Sequence, residues 1–516
     1  MSLVRPKPAA LPETLAPGVN DPAYPGEAFL DLLIREHRAQ HLPRLQRLWD
    51  YYRNPMTECL PTNALARPYR LAQEQGLPPR LRHHEADAPH GSPGCEREIV
   101  IENDIAWRIH ALVDFMFGRP PVIQSLAPDP ARASLIERFL RRIFELNGGV
   151  VFFQNLALLG SVYGYVDVLL RFDASRILVS APADPQRFAD RFVLETLEAP
   201  RIIPVLHPGD YRRLDAWVLH YRQPLNAIAD EPPLLDRLRD RALGRPGAIV
   251  SRAVRDCTEV YTADTIARYH ANASATGAVA QPRRLVRRSI NPLGVIPVVH
   301  IQNLPQPFMY EGLSEVEPLI ALQDELNTRL SDRANRITFQ SFRMYLGKGI
   351  EGFTDRPIGP GQMWSTDNVN ASIQEFGGDG NAPSENAHIA EIRQAMDKTS
   401  SVTPVAAGML QGKVGNLTSE NALRMTMLGL LARTEKKRVT YGDGLQRLCR
   451  LILHAADLLN ILPNHPDERA IHLDWPNPLP ENTSQRLHDA QVKRELGIPQ
   501  RQILAELGYA ETALET

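Results

Sequence analysis

The chain is poor in the features that usually announce chemistry. Its four cysteines, Cys59, Cys95, Cys257 and Cys449, stand singly in 516 residues, with no CxxC pair and no framework spacing. That argues against a disulfide-stapled scaffold and fits a reducing compartment. An excess of one charge is also lacking: 58 Lys+Arg face 60 Asp+Glu, a formal net charge of -2. Any contact with nucleic acid must therefore come from local patches rather than from the field of the whole protein. No apolar run reaches the roughly 20 residues that a membrane helix needs, so the expectation is a soluble chain without a membrane partner. The opening stretch, MSLVRPKPAALPETLAPGVNDPAYPG, is broken by proline before an apolar run can form, which reads as neither a signal peptide nor an anchor.

Signatures of catalysis are equally scarce. No GxSxG, HExxH or DxDxDG pattern occurs. GMLQGK, residues 408–413, sets glycines ahead of a lysine as a phosphate loop does. It has three residues between the glycines where a Walker A loop has four, and Val414 where Ser or Thr should follow the lysine. Asp324 and Glu325 are adjacent on a helix and project in different directions, which disqualifies them as a catalytic pair. His83, His84, Asp87, His90 and Cys95 are all metal-ligand types. Their irregular spacing in a Pro-rich stretch favours a polar loop, and no metal or cofactor is expected.

What the chain does have is helical periodicity and length, enough for several subdomains. GLSEVEPLIALQDELNTRLSDRANRITFQ, 312–340, opens with a capping-box pattern, Ser314 as N-cap and Glu317 three residues on. Val316, Leu319, Leu322, Leu326, Leu330 and Ile337 recur at helical spacings beside a polar row of Asp324, Asn327, Ser331 and Asn335. One side is expected to pack and the other to stay wet. The helix would be roughly 39 Å long, which suits a strut better than the core of a compact domain.

Along the chain, residues 1–25 form a Pro/Ala-rich arm. Helices are predicted over 28–53 with an interruption near Pro43, then over 103–118, 134–147 and 151–159. His110, inside the second of these segments, reads as a partly buried core residue. At SVYGYVDVLLRFD the period changes to that of a strand, and a β-rich region runs to about Gln302 through RILVS, RFVLETL, IIPVLH, LDAWVLHYR, TEVYTADTIARYHA and GVIPVVHIQ. LDAWVLHYR and TEVYTADTIARYHA should pair antiparallel around the polar insertion 226–245. Arg283, Arg284, Arg287 and Arg288 form a basic knot, read as a solvated hairpin tip in preference to a contact with DNA or an acidic partner. A Gly/Pro-punctuated module, 341–383, holds the strand candidates FRMYLG and SIQEF. A helix over 384–399 should return antiparallel to the first strut with the module at its tip. A glycine-punctuated loop, 402–418, leads into a helical tract over 419–462 in which Gly429, Gly442 and Gly444 mark bends. AIHLDW and two helices, 484–496 and 499–507, close the chain. The fold class is α+β.

From about Leu45 to the C-terminus the sequence resembles the portal proteins of tailed bacteriophages, in the group related to the portal of a Bacillus siphophage. The resemblance rests on LPRLQRLWDYYRN, NDIAWRIHALVDFMFGRPP, LGSVYGYVDVLLRF, GLSEVEPLIALQDELNTRLSDRANRI followed by YLGKG, and NLTSENALRMTMLGLLARTEKKR, in the family's order. The chain departs from it in the insertion 226–245 and at Asn416-Leu417-Thr418-Ser419. The resemblance implies a portal fold: an α/β wing over 26–311, a two-helix stem at 312–340 and 384–401, and a small α/β clip at 341–383. A tunnel loop at 402–418, a long kinked wing helix with a closing strand at 419–479, and a helical crown at 480–516 complete it.

By that resemblance the protein is a non-enzymatic ring of twelve copies at one capsid vertex of the virion, assembled in the host cytoplasm. Double-stranded DNA is packaged and ejected through it without sequence recognition. The implied partners are the terminase large subunit, the major capsid protein, a head-completion adaptor and a scaffolding protein. The alternatives are a packaging nucleotidase, against which the failed Walker count speaks, and a DNA-binding regulator using the C-terminal helices. Gln411, Lys413 and Asn416 are the expected DNA contacts of the tunnel loop. Asp324, Asn327, Ser331, Asn335 and Glu391 are the expected channel lining. The acids Glu315, Glu317, Asp324, Glu325, Asp332, Glu385, Glu391 and Asp397 would repel phosphates and let the duplex slide. Ring closure needs a heterologous interface, for which the stem stripe and a face with Leu428, Leu431 and Leu445 are candidates.

Overall fold

The structure is a computed structural model of the whole chain. It describes residues 26–58, 69–81, 98–228, 252–273, 283–341, 344–348, 369–376, 383–407, 420–479 and 483–497. Helices are α1 (Glu27–Glu36), α2 (Leu42–Arg53), α3 (Asp104–Phe117), α4 (Pro130–Leu146), α5 (Val150–Tyr163), α6 (Ile320–Ser341), α7 (Pro383–Ser400), α8 (Glu420–Thr426), α9 (Leu428–Leu458) and α10 (Thr483–Glu495). Strands are β1 (Met56–Glu58), β2 (Tyr69–Leu71), β3 (Val122–Ser125), β4 (Tyr165–Arg171), β5 (Val193–Leu197), β6 (Ile202–His207), β7 (Asp210–Ile228), β8 (Arg252–Tyr261), β9 (Thr265–Ala273), β10 (Arg284–Ile290), β11 (Val298–Gln302), β12 (Met344–Lys348), β13 (Ser372–Phe376) and β14 (Ile471–Asp474). Helices and antiparallel sheets are mixed, so the α+β class holds. The chain divides into two compact units, one of 1–49, 109–316 and 402–516, the other of 50–108 and 317–401.

In the first unit a five-stranded antiparallel sheet, β10-β9-β8-β7-β6, is covered on both faces. Leu30 and Ile34 of α1 pack on one face with Val218, Val260, Ala267 and Tyr269. Trp217, Leu219 and Tyr261 on the other face meet Leu169 and Leu197 of the three-stranded sheet β11-β4-β5. β7 and β8 pair antiparallel as the sequence predicts. TEVYTADTIARYHA, though, is two strands. Thr262 turns the chain, its hydroxyl accepting from the Thr265 amide at 2.9 Å, so that β9 folds back on β8. The basic knot lies on edge strand β10 rather than on a hairpin tip. Arg283 is drawn inward to Asp31 (2.5 Å) and Arg288 is buried, because alternation along a strand sends neighbours to opposite faces. RILVS forms no strand.

Helix boundaries follow local chemistry. Helicity runs from α1 into α2 through a π-helical turn, His37–His41, which absorbs the missing N–H of Pro43. α4 begins a turn earlier than its apolar stripe suggests, because Asp129 caps the Ala131 amide and Pro130 takes the first position. His110 is exposed, not part-buried, since α3 turns Ile109, Leu112, Val113 and Met116 to the core. The tract expected over 419–462 breaks at Met427, and α9 then runs unbroken through Gly429, Gly442 and Gly444. Gly444 serves close packing: a Cβ there would stand 2.4 Å from Ile301 Cγ1. Leu445 is buried, so it belongs to the chain's own core and offers no surface to a neighbour.

His220 on β7 is held neutral. Burial first, then the Arg38 and Arg283 guanidiniums, push it down to about 4, with Asp256 pulling the other way and His37 adding to the depression. Arg38 donates to its Nε2 (2.9 Å) and Nδ1 meets Thr258 Oγ1 (3.0 Å), which assigns the proton to Nδ1. An unfolded histidine protonates near about 6.5. Between the two values the unfolded state binds more protons, so stability is full above about pH 6.5 and falls as pH drops toward about 4. The expected loss is on the order of 3 kcal/mol. His220→Gln should flatten that acid limb in urea titrations.

In the second unit α6 and α7 run antiparallel: Glu325 meets His388 (3.3 Å), while Arg336, further along α6, meets Glu385, earlier on α7. Between these helices in sequence, β12 and β13 pair antiparallel. α6 proper begins at Ile320 after a 3-10 turn, Glu317–Leu319, which makes it about 33 Å long. Ser314, the predicted cap, accepts from the Val316 amide at 3.1 Å and donates to the Val162 carbonyl at 2.6 Å. Segment 50–108, which the sequence groups with 26–311, packs in the unit of the helix pair.

Candidate functional site

On α6 the polar residues Gln323, Asn327, Ser331 and Asn335 recur every fourth position, one above the other on a single face. Segment 98–104 lies along that face in the opposite direction and engages it with every second residue. The amides of Glu98, Val100, Glu102 and Asp104 donate to Asn335 Oδ1 (2.9 Å), Ser331 Oγ (3.0 Å), Asn327 Oδ1 (3.0 Å) and Gln323 Oε1 (3.1 Å). In return Asn335 and Gln323 donate to the Glu98 and Glu102 carbonyls. The match is metric. Four helical residues advance about 6 Å and two extended residues about 6.6 Å, so the two ladders stay in step for four rungs. Asn327 also donates to Gln73 Oε1 (3.1 Å), whose amide reaches the Tyr51 carbonyl (2.7 Å).

The row that the sequence presents as wet is therefore covered. Asn327 and Ser331 are fully buried. Asn335 is half-buried, and Asp324, also half-buried, accepts from Tyr51 Oη at 2.5 Å. Glu391 alone of the expected lining is broadly open, its side chain 75% exposed. Most of the acids expected to repel phosphate are also taken. Asp332 binds Arg80 and Arg329, Glu385 binds Arg336, Glu325 binds Arg329, and Asp397 binds the buried Arg108 at 2.6 Å. These cations come from segments far off in sequence or from the next helical turn, and a tally of acids along one helix does not see them.

Glu315, the first acid of that series, belongs to a junction in the other unit. There Gly164 ends α5 in a left-handed conformation (φ 92) and gives way to β4. A Cβ on Gly164 would lie 2.4 Å from the Gly312 carbonyl oxygen, and one on Gly312 would lie 2.5 Å from that of Gly164. Two backbones cross where only glycines fit. The Glu315 amide donates to the Ser161 carbonyl (2.8 Å), and its buried carboxylate faces Lys437 Nζ (3.5 Å) and Arg433 of α9. Lys437 also donates to Ser161 Oγ at 2.8 Å. Burial pushes the Lys437 ammonium below the usual lysine range, against the pull of Glu315.

Next to it Asp167, fully buried on β4, accepts from Trp217 Nε1 (2.7 Å), His300 Nδ1 (2.7 Å) and Tyr310 Oη (3.2 Å). His300 Nε2 meets the Tyr310 carbonyl at 2.9 Å. The imidazole and carboxylate thus spend their hydrogen-bonding capacity on holding the 303–313 loop and Trp217 of β7.

Gln411, Lys413 and Asn416 lie outside the described residues, as do His83, His84, Asp87, His90 and Cys95 and the last predicted helix. Among the described residues no cluster of His, Cys, Asp and Glu suited to a metal occurs, and no single helix is long and apolar enough to cross a membrane. Sequence reasoning missed the ladder residues as a packing device, although their four-residue spacing was visible. It missed Lys437 and Arg433 as partners of Glu315 altogether.

The segments that meet at the junction, LGSVYGYVDVLL, GLSEVEPLI and ARTEKKR, are among those on which the family resemblance rests. The family model described as "Phage portal protein, SPP1 Gp6-like" matches residues 255–512, half of the chain. The chain belongs to this portal family. No curated protein matches it. Among solved structures, "Virion of native gene transfer agent (GTA) particle" aligns at 13% identity and a TM-score of 0.36 over 78% of this chain and 89% of that one. "Neck of native GTA particle computed with C12 symmetry" aligns at 12% identity and a TM-score of 0.38 over the same shares. In this portal protein the matched region holds Glu315, Arg433 and Lys437, the helices α6 and α7, the antiparallel pair β12–β13 and α9. The portal family is structural and non-enzymatic.

Proposed function

We propose that the chain is the ring-forming subunit of a head-to-tail connector, twelve copies closing at one capsid vertex of a virion after assembly in the host cytoplasm. Double-stranded DNA passes along the ring axis during packaging and ejection, held by no sequence-specific contact. The observation that carries this reading is the family match over 255–512, because that stretch contains the antiparallel pair α6–α7 with the paired strands β12 and β13 between them in sequence. In this reading 312–340 and 384–401 are the stem, 341–383 the clip, and 402–418 a tunnel loop that touches the DNA backbone through Gln411, Lys413 and Asn416. Phosphate contacts of that kind position a duplex without reading it. Glu391, open to solvent, is assigned to the lumen. Asn327 and Ser331 bind their own chain and are removed from the lining. The terminase large subunit, the major capsid protein, a head-completion adaptor and a scaffolding protein are the assigned partners.

Electron microscopy of the purified protein tests this reading. Rings with a central channel, seen in axial view, are the expected result. A stable monomer that assembles neither alone nor with capsid protein overturns it.

A further inference from the structure

A pocket of about 800 Å³ opens on one face of the five-stranded sheet, within the size range of roughly 300–1,000 Å³ typical of ligand sites. A cross-strand row lies on its floor: Glu259 of β8 opposite Arg268 of β9, and Arg268 opposite Arg287 of β10. The Glu259 side chain is 3% exposed and accepts from Arg171 (2.9 Å), Tyr261 (2.6 Å) and Arg268 (2.5 Å). That single carboxylate is committed to two guanidiniums already. At the rim Asp173 is taken by Arg176 at 3.0 Å. Arg287, exposed and directly across from Arg268, has no hydrogen-bond or ion-pair partner among the described residues. Like charges at directly opposed strand positions destabilise a sheet, so the row holds an uncompensated cation inside a concave site. The walls are largely apolar and include Leu170, Phe172 and Leu293.

We propose that this pocket binds an acidic segment of a partner protein, a carboxylate seating on Arg268 and Arg287 while an adjacent apolar side chain lies on the wall. The guanidinium fork matches a carboxylate in two parallel hydrogen bonds, and Glu259 holds Arg268 in place for it before binding. A DNA duplex is the weaker fit, because it presents its phosphates on a convex rod whereas these arginines share a hollow with hydrocarbon. Ring formation plays no part in the inference.

The test uses the full-length protein and a fluorescein-labelled peptide of alternating glutamate and leucine, titrated by fluorescence anisotropy. The peptide should bind, and Arg287→Glu should weaken it at least about tenfold. Arg284→Glu, an exposed arginine of the same strand outside the pocket, should leave binding within about twofold of the parent, as expected for a charge outside the contact. Without peptide, Arg287→Glu should raise the thermal midpoint, because the new carboxylate faces Arg268, which separates lost binding from lost folding. The proposal is overturned by a parent protein that ignores the peptide, by equal weakening in both variants, or by a lowered midpoint in Arg287→Glu. It is also overturned if a short DNA duplex, and not the peptide, binds in an Arg287-dependent way.

Discussion

Replacing Asn327 by leucine is expected to lower the stability of the unit formed by 50–108 and 317–401 by about 3 kcal/mol. The two side chains have the same number of non-hydrogen atoms and the same branching, so the main change is the loss of hydrogen bonding. Leucine cannot accept from the Glu102 amide or from Gln323 Nε2, nor donate to Gln73 Oε1, and two of these three bonds are fully buried. Each orphaned buried group costs about 1–3 kcal/mol because it gave up water on folding and recovers nothing. Urea unfolding gives the size of the loss, and hydrogen exchange gives its place. In the parent protein the amides of Glu98, Val100, Glu102 and Asp104 should be protected as a set, since each donates to a side chain of α6. In the variant the set should open together. Asn335→Ala, at the half-buried end of the same ladder, should cost only about 1 kcal/mol. Equal losses at the two positions would mean that the ladder does not owe its strength to burial.

The second large effect is expected at Glu315. Its carboxylate side chain and Lys437 are each 1% exposed, and the pair joins the loop after β11 to the long helix α9. Glu315→Ala leaves a buried ammonium with Ser161 Oγ as its remaining close partner, an arrangement that typically costs about 3–5 kcal/mol. The double variant Glu315→Leu with Lys437→Met should be clearly more stable than Glu315→Ala, because hydrocarbon of similar size replaces both charges and no ion is left unpaired. Arg433, with 18% of its side chain exposed, can turn its guanidinium to water in either case. Thermal unfolding of the three proteins decides the matter. A double variant no better than Glu315→Ala would show that the junction depends on its crossing backbones rather than on the ion pair.

The Glu315 junction also explains why residues spread over the chain read as one family pattern. Ser161 lies in LGSVYG, Glu315 in GLSEVEP, and Arg433 and Lys437 in LLARTEKKR. In the folded chain they are a single junction, with Gly164 and Gly312 meeting at backbone contact. The pattern is the linear trace of one packing solution. It carries packing, which suits a structural family.

The sequence by itself determined what depends on near neighbours in the chain. The apolar stripes of α3, α4, α6 and α7 and the strand period of β7 and β8 are properties of a few consecutive residues. Helix and strand geometry turn such patterns directly into faces. Only the tertiary structure decided which polar face meets what. The row Asp324, Asn327, Ser331 and Asn335 is as hydrophilic as an exposed surface, and nothing local distinguishes hydrogen bonds to water from hydrogen bonds to the backbone of 98–104. The acids of α6 and α7 count as repulsive until Arg80 and Arg108 arrive from more than two hundred residues away. The physical reason is common to both cases. Apolar burial follows from a residue's own chemistry, whereas a buried polar or charged group is tolerable only through its partner, and partners are chosen by the fold.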